Sequence, residues 1–435
     1  MSDIKQVLQS EAKLENLGGI AVLFPEVPRQ MKLWRVQAAA LIWQTRHLAH
    51  LMSEHAKSPT LMRATRNRLT TYAKGSEEQA KYLTSLLAPL KPDQVPLLDV
   101  EGYLRLTEFR PSELGGYQQN LFRDWAWENQ ENLDALARVK SLIGGLKPKR
   151  CLFLGAGGSR LAYDLHEELA PELTVANDIN PLLLLAAKKL ARGEKVEIME
   201  LPPIAVDAKS VAVKRTLQAP KAAADSLQFL LADGTSGIFA DGAFDLVVTQ
   251  WFIDIVGKDI HDLFGEINRV LASGGVWINI GPLMYNASFE QQYSSEETVR
   301  IAEKSGFKVE EVADEFYPYM KAPLWRVHRS EMILSFRATK TEDAEIDEEP
   351  SAMPTPPWAD DESLPVPAIG NVENMARAAR IFATVLEALD GQRSVTGIIE
   401  FVAKDLGLTP EVVGPTVRLA LEQYTRSRGI NPYRS

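Results

Sequence analysis

The chain carries a single cysteine among 435 residues. An intramolecular disulfide is therefore excluded, and the usage suits a reducing compartment. Long apolar runs are missing too: none reaches the ~18 residues that a membrane span requires. The segment MSDIKQVLQSEAKLEN is polar and charged, unlike a secretory signal. Together these absences predict a cytoplasmic protein with no membrane partner. Excess positive charge is also lacking. Lys and Arg number 48 against 58 Asp and Glu, a net charge of −10, so no nucleic-acid partner is expected. The densest basic segment, Arg63–Arg68, reads as the solvated face of a helix. Metal-ligand spacing is absent as well. Of the 6 histidines, His47, His50 and His55 share one helical segment, but no fourth ligand accompanies them. No metal is expected. Cys151, at the start of an apolar run, reads as buried packing rather than as a nucleophile.

What remains is an ordinary globular composition, 45% hydrophobic and 24% charged, over a length that calls for two or three domains. The most informative stretch is Cys151–Asp178. An apolar run, Cys151–Leu154, ends in Gly155-Ala156-Gly157-Gly158. Helical spacing follows at Leu161, Leu165 and Leu169, and a second apolar run, Leu173–Ala176, leads to Asp178. Strand, glycine turn, helix, strand and acid make the front half of a nucleotide-binding βαβ unit. The glycines let backbone approach a ligand closely, and Asp178 can accept hydrogen bonds from both hydroxyls of a ribose. Further on, Phe229–Gly234 (FLLADG) reads as a strand ending at Asp233. Phe244–Asp254 (FDLVVTQWFID) reads as a strand running into an aromatic and acidic turn. Arg269–Pro282 (RVLASGGVWINIGP) reads as a helix end, a Gly-Gly turn and an apolar strand. No phosphate-binding lysine accompanies the glycines, and a ligand without a pyrophosphate needs none. A doubly wound sheet that binds NAD, or binds nothing, is the competing reading.

The order of these motifs resembles that of class I S-adenosylmethionine-dependent methyltransferases. Four blocks narrow the likeness: Leu121–Trp125 (LFRDW), Leu154–Leu161 (LGAGGSRL), Trp251–Asp254 (WFID) and Trp277–Tyr285 (WINIGPLMY) resemble the carnosine N-methyltransferase family, over roughly residues 115–340. The resemblance implies an α/β fold with a Rossmann-like, mostly parallel sheet. It implies S-adenosylmethionine as cofactor and N-methylation of a small-molecule or peptide acceptor. It implies a cofactor-binding set of Arg123, Gly155, Ala156, Gly157, Asp178, Ile179, Asp233, Gly234 and Gln250, with Asp233 at the adenine amino group. It implies a catalytic set of Asp254, Tyr285 and Asn286. In it Asp254 meets the acceptor nitrogen, Tyr285 lines the site, and Asn286 stands where the family has a histidine. Ser330, before Glu331, likewise stands where the family has a substrate-contacting tyrosine. These two exchanges predict an acceptor other than a free imidazole dipeptide.

Methyl transfer to nitrogen is an in-line displacement, so positioning supplies much of the acceleration. The nitrogen must present a lone pair, and a carboxylate beside it can orient the N–H or take its proton. Asp254 suits that task, with an N-cap for a helix starting near Asp259 as its plainer alternative. Tyr285 can donate to the acceptor or stack on it, or can plug the sheet end. Asn286 donates and accepts but takes no proton at neutral pH. Trp251 is expected to pack on the adenine or on a lid. Tyr317, Tyr319 and Trp325 make an aromatic wall for a planar or cationic acceptor, or else belong to the core. A non-catalytic S-adenosylmethionine-binding regulatory or peptide-binding protein, working through its C-terminal module, is the alternative function.

Residues 1–114 are expected to be mostly helical, as a lid or a homodimer surface. Lys32–His55 and Gln79–Leu90 are amphipathic, with Pro92 and Pro96 breaking the second. Asn120–Ile143 reads as one long helix. Within the methyltransferase domain, residues 115–340, Val196–Ser226 is an insert expected to cover the sheet edge or to build substrate surface. Residues 341–369 are acidic and then proline-rich, a linker composition. Residues 370–435 read as a small helical unit: helices Val372–Leu389, Thr396–Leu406 and Pro410–Tyr424 flank the turn Asp390–Val395. That turn resembles those of PqqD-like, winged-helix-type modules, which bind leader peptides of peptide natural products. A helical appendage for dimerisation is the alternative. Arg377, Arg380, Arg393 and Arg418 are too dispersed for a DNA-binding stripe.

Overall fold

A nine-stranded sheet carries the larger of two units, residues 1–352, and residues 353–435 form the other. The computed structural model describes residues 4–9, 13–107, 113–127, 130–257, 259–285, 289–344, 363–365 and 372–427. In chain order the strands are β1 (Glu15–Leu17), β2 (Ile20–Leu23), β3 (Arg150–Leu154), β4 (Leu173–Asp178), β5 (Val196–Glu200), β6 (Val213–Leu217), β7 (Leu227–Ala232), β8 (Phe244–Gln250), β9 (Leu271–Gly281), β10 (Phe307–Tyr319) and β11 (Arg329–Lys340). Across the sheet they stand β1-β2-β7-β4-β3-β8-β9-β11-β10, while β5 and β6 pair separately. The central five, β7-β4-β3-β8-β9, are parallel. Numbered among themselves they read 3-2-1-4-5, the Rossmann-like order, and the antiparallel hairpin β10–β11 then closes on β9. This is the α/β class I methyltransferase arrangement that the motifs imply. Both faces of the sheet are covered, which is why β3 and β4 are buried almost throughout. The order reverses between β3 and β8, so their carboxyl ends flank the switch point where such sheets bind ligands.

The helices are α1 (Val27–Ala56), α2 (Arg63–Leu86), α3 (Leu97–Leu106), α4 (Glu113–Gly116), α5 (Gln119–Trp125), α6 (Gln130–Ile143), α7 (Arg160–Leu169), α8 (Pro181–Ala191), α9 (Ile260–Val270), α10 (Ser295–Lys304), α11 (Val372–Glu387), α12 (Val395–Leu406) and α13 (Pro410–Ser427). Local chemistry sets several starts. The Asn180 carboxamide accepts from Leu182 N at 3.0 Å and Leu183 N at 3.3 Å, and Pro181 takes the first position of α8. Leu182 to Leu185 are all buried, because α8 lies between the sheet and α2. Ser294 and Glu297 form a capping box at α10.

The structure departs from the sequence reading in three places. First, residues 1–114, mostly helical as expected, also hold strands: β1 and β2 form a hairpin that joins the main sheet, with β2 parallel to β7. Gly18 (φ 57°) and Gly19 (φ 83°) provide the left-handed pair a two-residue hairpin turn needs, and Lys188 of α8 donates to the Gly19 carbonyl. Second, Asn120–Ile143 is two helices. Trp127 leaves α5, its indole Nε1 donating to Glu200 Oε1 at 3.0 Å, while Asn132 Nδ2 donates to Arg123 O at 3.0 Å and so satisfies a terminal carbonyl of α5. Third, the insert forms a small sheet of its own: β5 and β6 make a hairpin packed on α2, with Gln79 Oε1 accepting from Met199 N at 2.7 Å. Fully buried Glu200 is neutralised there by Arg215, whose Nε lies 2.7 Å from Oε2.

In the second unit, α11, α12 and α13 pack around Ile381, Val385, Ile398, Val402, Val413 and Val417. Among its described residues there is no strand. Asp390 Oδ1 accepts from Gln392 N at 2.9 Å and Arg393 N at 3.0 Å, which shapes the turn before α12, and Ser394 caps that helix through Gly397 N. The expected linker, apart from residues 341–344 and 363–365, lies outside the described residues.

Candidate functional site

The loop after β3 sits at the switch point. Gly155 (φ 64°) and Gly157 (φ 54°) are both left-handed. At Gly155 the Phe252 ring occupies the place a Cβ would take, so glycine is required there by packing as well as by φ. Ala156 N donates to Asn177 O at 2.9 Å. Gly157 N donates to Asp178 Oδ2 at 2.7 Å and Asn180 N to Oδ1 at 2.8 Å. Burial pushes the Asp178 carboxyl up, and these backbone N–H groups oppose the rise. Ile179 beside it is exposed. After β7, Asp233 Oδ1 accepts from Thr235 N at 3.0 Å and Thr235 Oγ1 at 2.7 Å, and at Gly234 a side chain would strike the Asn177 carboxamide. Gln250, half-buried, ends β8. Eight of the nine expected cofactor residues thus stand at the carboxyl ends of β3, β4, β7 and β8.

The ninth, Arg123, comes from α5. Its Nε and a terminal nitrogen both lie 2.8 Å from Asp124 Oδ1. Burial alone would lower this guanidinium's pKa, but the Asp124 carboxylate overrides it and holds the pKa above the usual range. Trp125 Nε1 donates to Gly158 O at 2.8 Å, and the Asp124 carboxylate fills the space a side chain at Gly158 would need. The Arg-Asp-Trp block is therefore built against the glycine turn.

Asp254 lies four residues beyond β8 and is 3% exposed. It does not cap α9. Asp259 does, accepting from His261 N at 2.9 Å through Oδ1 and from Gln291 Nε2 at 2.9 Å through Oδ2. Asp254 Oδ2 accepts from Met284 N at 3.2 Å, while Oδ1 is buried with no hydrogen-bond partner among the described residues. Burial, with a smaller contribution from the Glu331 charge, pushes this carboxyl up to about 6 against the opposing backbone N–H groups of Asp254 itself and of Met284. Tyr285 is buried, and its hydroxyl lies 3.0 Å from Thr298 Oγ1 of α10. Burial raises the Tyr285 pKa, and the nearby Asp254 charge adds to it. Asn286 lies outside the described residues.

Two of the three expected wall aromatics come together with Trp251. Its indole stacks on Tyr319 (5.0 Å, 11°) and meets Tyr317 edge-on at 5.7 Å. Arg123 and Arg329 lie over the Tyr319 ring at 5.4 and 4.9 Å. Trp325 belongs elsewhere, edge-on to Trp127 at 6.4 Å. Ser330 is exposed beside exposed Met332, whereas Glu331 and Ile333 are buried. Strand alternation therefore turns Ser330 to the face opposite Glu331.

Residues not singled out beforehand complete the site. Phe252 closes on Gly155, Asp124 holds Arg123, and Glu331 Oε2 accepts from Trp251 Nε1 at 2.8 Å. The signal for Glu331 was a lone acid in the apolar run EMILSF. Chemically, the arrangement offers a glycine-lined backbone surface with acids at two strand ends. Beside it stands a buried carboxylate with one free oxygen and an aromatic wall.

The carnosine N-methyltransferase family description matches residues 116–320. Curated carnosine N-methyltransferases from Dictyostelium discoideum and Mus musculus are 32% identical over 99 residues and 35% identical over 75. These matches cover 21% of this chain and 21% of the Dictyostelium protein, and 16% of this chain and 18% of the mouse protein. The chain thus spans about a fifth of the length of the curated relatives it matches. Among solved structures, a Haemonchus contortus phosphoethanolamine N-methyltransferase 2 in complex with S-adenosyl-L-methionine overlaps 49% of this chain and 45% of its own, at 19% identity and a TM-score of 0.31. That likeness is too low to bear on function. Over residues 116–320, on the class I methyltransferase frame described above, the chain is carnosine N-methyltransferase-like.

Proposed function

We propose that the chain is an S-adenosylmethionine-dependent methyltransferase that methylates a nitrogen of a small molecule or peptide. The observation that carries this is Asp254: a buried carboxylate beside the switch point with one oxygen unpartnered. The residues present fit the cofactor. Gly155, Gly157 and Gly234 stand where a side chain would clash or strain, Ala156 completes the turn between the first two, Asp178 suits the ribose, Asp233 the adenine amino group, and Ile179 and Gln250 flank them. Arg123 closes the set from α5. When bound, the cofactor supplies an electrophilic methyl group on a sulfonium.

This chain's own residues do the rest. Asp254 Oδ1 accepts the acceptor's N–H, aims the lone pair, and takes the proton released. A carboxyl near 6 is mostly ionised at neutral pH yet basic enough to share a proton. Trp251, Tyr317 and Tyr319 shield one side from water and suit a flat or cationic acceptor. Tyr285 props the floor through its Thr298 bond. Asn286 in place of the family's histidine points away from imidazole dipeptides. The likeness of the Asp390–Val395 turn to leader-peptide-binding modules supports a second reading, a non-catalytic protein that binds a peptide through its C-terminal unit. A cytoplasmic setting without nucleic-acid partners completes the proposal, supported by the lone buried Cys151 and the net charge of −10.

Calorimetry with S-adenosylmethionine, then tritium-methyl transfer to a panel of carnosine, primary amines and short peptides, tests the reading. Asp254→Asn should keep cofactor affinity and lower turnover on the order of 100-fold. Binding of NAD in its place, or an unimpaired Asp254→Asn enzyme, overturns it.

A further inference from the structure

Trp251 has a backbone that tryptophan adopts only under constraint: its φ is 49°, in the left-handed region. Several contacts hold it there. Its amide donates to Ile280 O at 2.9 Å. Gly281 leaves room for it, since a Cβ at 281 would meet the Trp251 backbone at 3.0 Å. Its indole stacks on Tyr319, and the indole Nε1 donates to Glu331 Oε2 at 2.8 Å. Glu331 is 8% exposed in an otherwise apolar stretch of β11. Burying a carboxylate there is unfavourable for the strand alone, and its nearest cation, Arg329, stands off at 3.7 Å from Oε1. The short bond to Trp251 is what the position accomplishes. Three residues after Trp251 comes Asp254, whose Oδ2 holds the Met284 amide.

We propose that Glu331 is a positioning residue for the methyl-transfer site: its carboxylate fixes the Trp251 indole, and with it the left-handed turn that carries Asp254 to the acceptor. The proposal rests on the reading of Asp254 given above, but the lock itself is measurable on the free chain with neither cofactor nor acceptor. The indole N–H resonance of Trp251, assigned by its loss in Trp251→Phe, reports the bond. Hydrogen exchange of the Met284 amide reports whether the bond is felt at Asp254.

Glu331→Ala should move the indole resonance toward its solvent-exposed position and speed Met284 exchange about tenfold, leaving Val247 and Val248 of β8 protected. Glu331→Gln, whose side-chain oxygen still accepts, should stay within about threefold of the native chain. Trp251→Phe should match Glu331→Ala at Met284, and the double variant should add little, since both remove one bond. If Glu331→Ala unfolds the chain, the Glu331→Gln and Trp251→Phe pair decides. Unchanged Met284 exchange in Trp251→Phe or Glu331→Ala overturns the proposal, as does Glu331→Gln behaving like Glu331→Ala, or full additivity in the double variant. An unimpaired Asp254→Asn enzyme would remove the proposed role of Asp254 and leave the lock standing.

Discussion

Asp254 should make the protein less stable than it would be with a neutral residue in its place. Its carboxyl is raised from 3.8 to about 6 by burial. Between those two values the folded chain binds more protons than the unfolded one, so stability falls as pH rises through the window. Below 3.8 both states are protonated and nothing is lost. Above about 6 both are ionised and the full penalty applies, about 3 kcal/mol for a rise of this size. Asp254→Asn escapes the penalty at every pH while keeping an oxygen for the Met284 amide. An amide N–H left without a partner where Oδ1 stood takes back about 1 kcal/mol. The variant should thus be stabler by about 2 kcal/mol near pH 7.5. Near pH 4.5 the gross gain is only about 1 kcal/mol, which the amide cancels. For the unit of residues 1–352, an unfolding entropy of about 0.7 kcal/mol/K makes the first figure a rise of about 3 °C in melting temperature. Scanning calorimetry, following that unit's transition at the two pH values, measures it. A variant that melts lower than the native chain near pH 7.5, or that gains equally at both pH values, refutes the argument. Greater stability with lost turnover is the trade expected of a functional acid held in an unfavourable site.

Asp178→Ala should weaken S-adenosylmethionine binding by about 1–3 kcal/mol, read by calorimetry, because ribose hydroxyls lose a charged acceptor. Gly155→Ala meets Phe252 and a φ of 64° together, so a loss of about 1–3 kcal/mol in urea unfolding is expected. Trp127→Phe removes one of the donors that hold fully buried Glu200, and should lower stability by about 1–3 kcal/mol in the same assay. Carnosine should be methylated weakly by the native chain and better by Asn286→His. Adding Ser330→Tyr should bring nothing further, because position 330 turns away from Glu331.

The parallel core was legible because strands buried on both faces leave continuous apolar runs, as in CLFL and LTVAN, and because glycines and acids punctuate their ends at fixed places. Asp254 was legible from its turn, yet its freedom from capping was not: Asp259, five residues on, competes for the same helix, and only the fold decides between them. The β1–β2 hairpin was missed although Gly18-Gly19 before IAVL is a hairpin signal, since three residues of β1 are too few to show alternation. The contacts of Glu331 and Phe252 were illegible for a different reason. Their partners, Trp251 and Gly155, lie 80 and 97 residues away, and no local pattern reports a contact made across the sheet. The break between α5 and α6 likewise depends on Glu200, a residue of β5.

The hairpin of β1 and β2 also fixes an order of events during synthesis. Ala21 pairs with Leu230, so β2 leaves the ribosome 209 residues before the strand it must join. At about 5–20 residues per second that is a wait of roughly ten to forty seconds. Throughout it Ile20, Ala21, Val22 and Leu23 have no sheet to enter, and four consecutive apolar residues beside an unpaired edge invite other partners. The same closure entropy that makes distant pairings slow also makes them late. The α1–α2 hairpin, whose contacts are local, can form meanwhile. Residues 20–23 therefore stay without their sheet until β7 has been made.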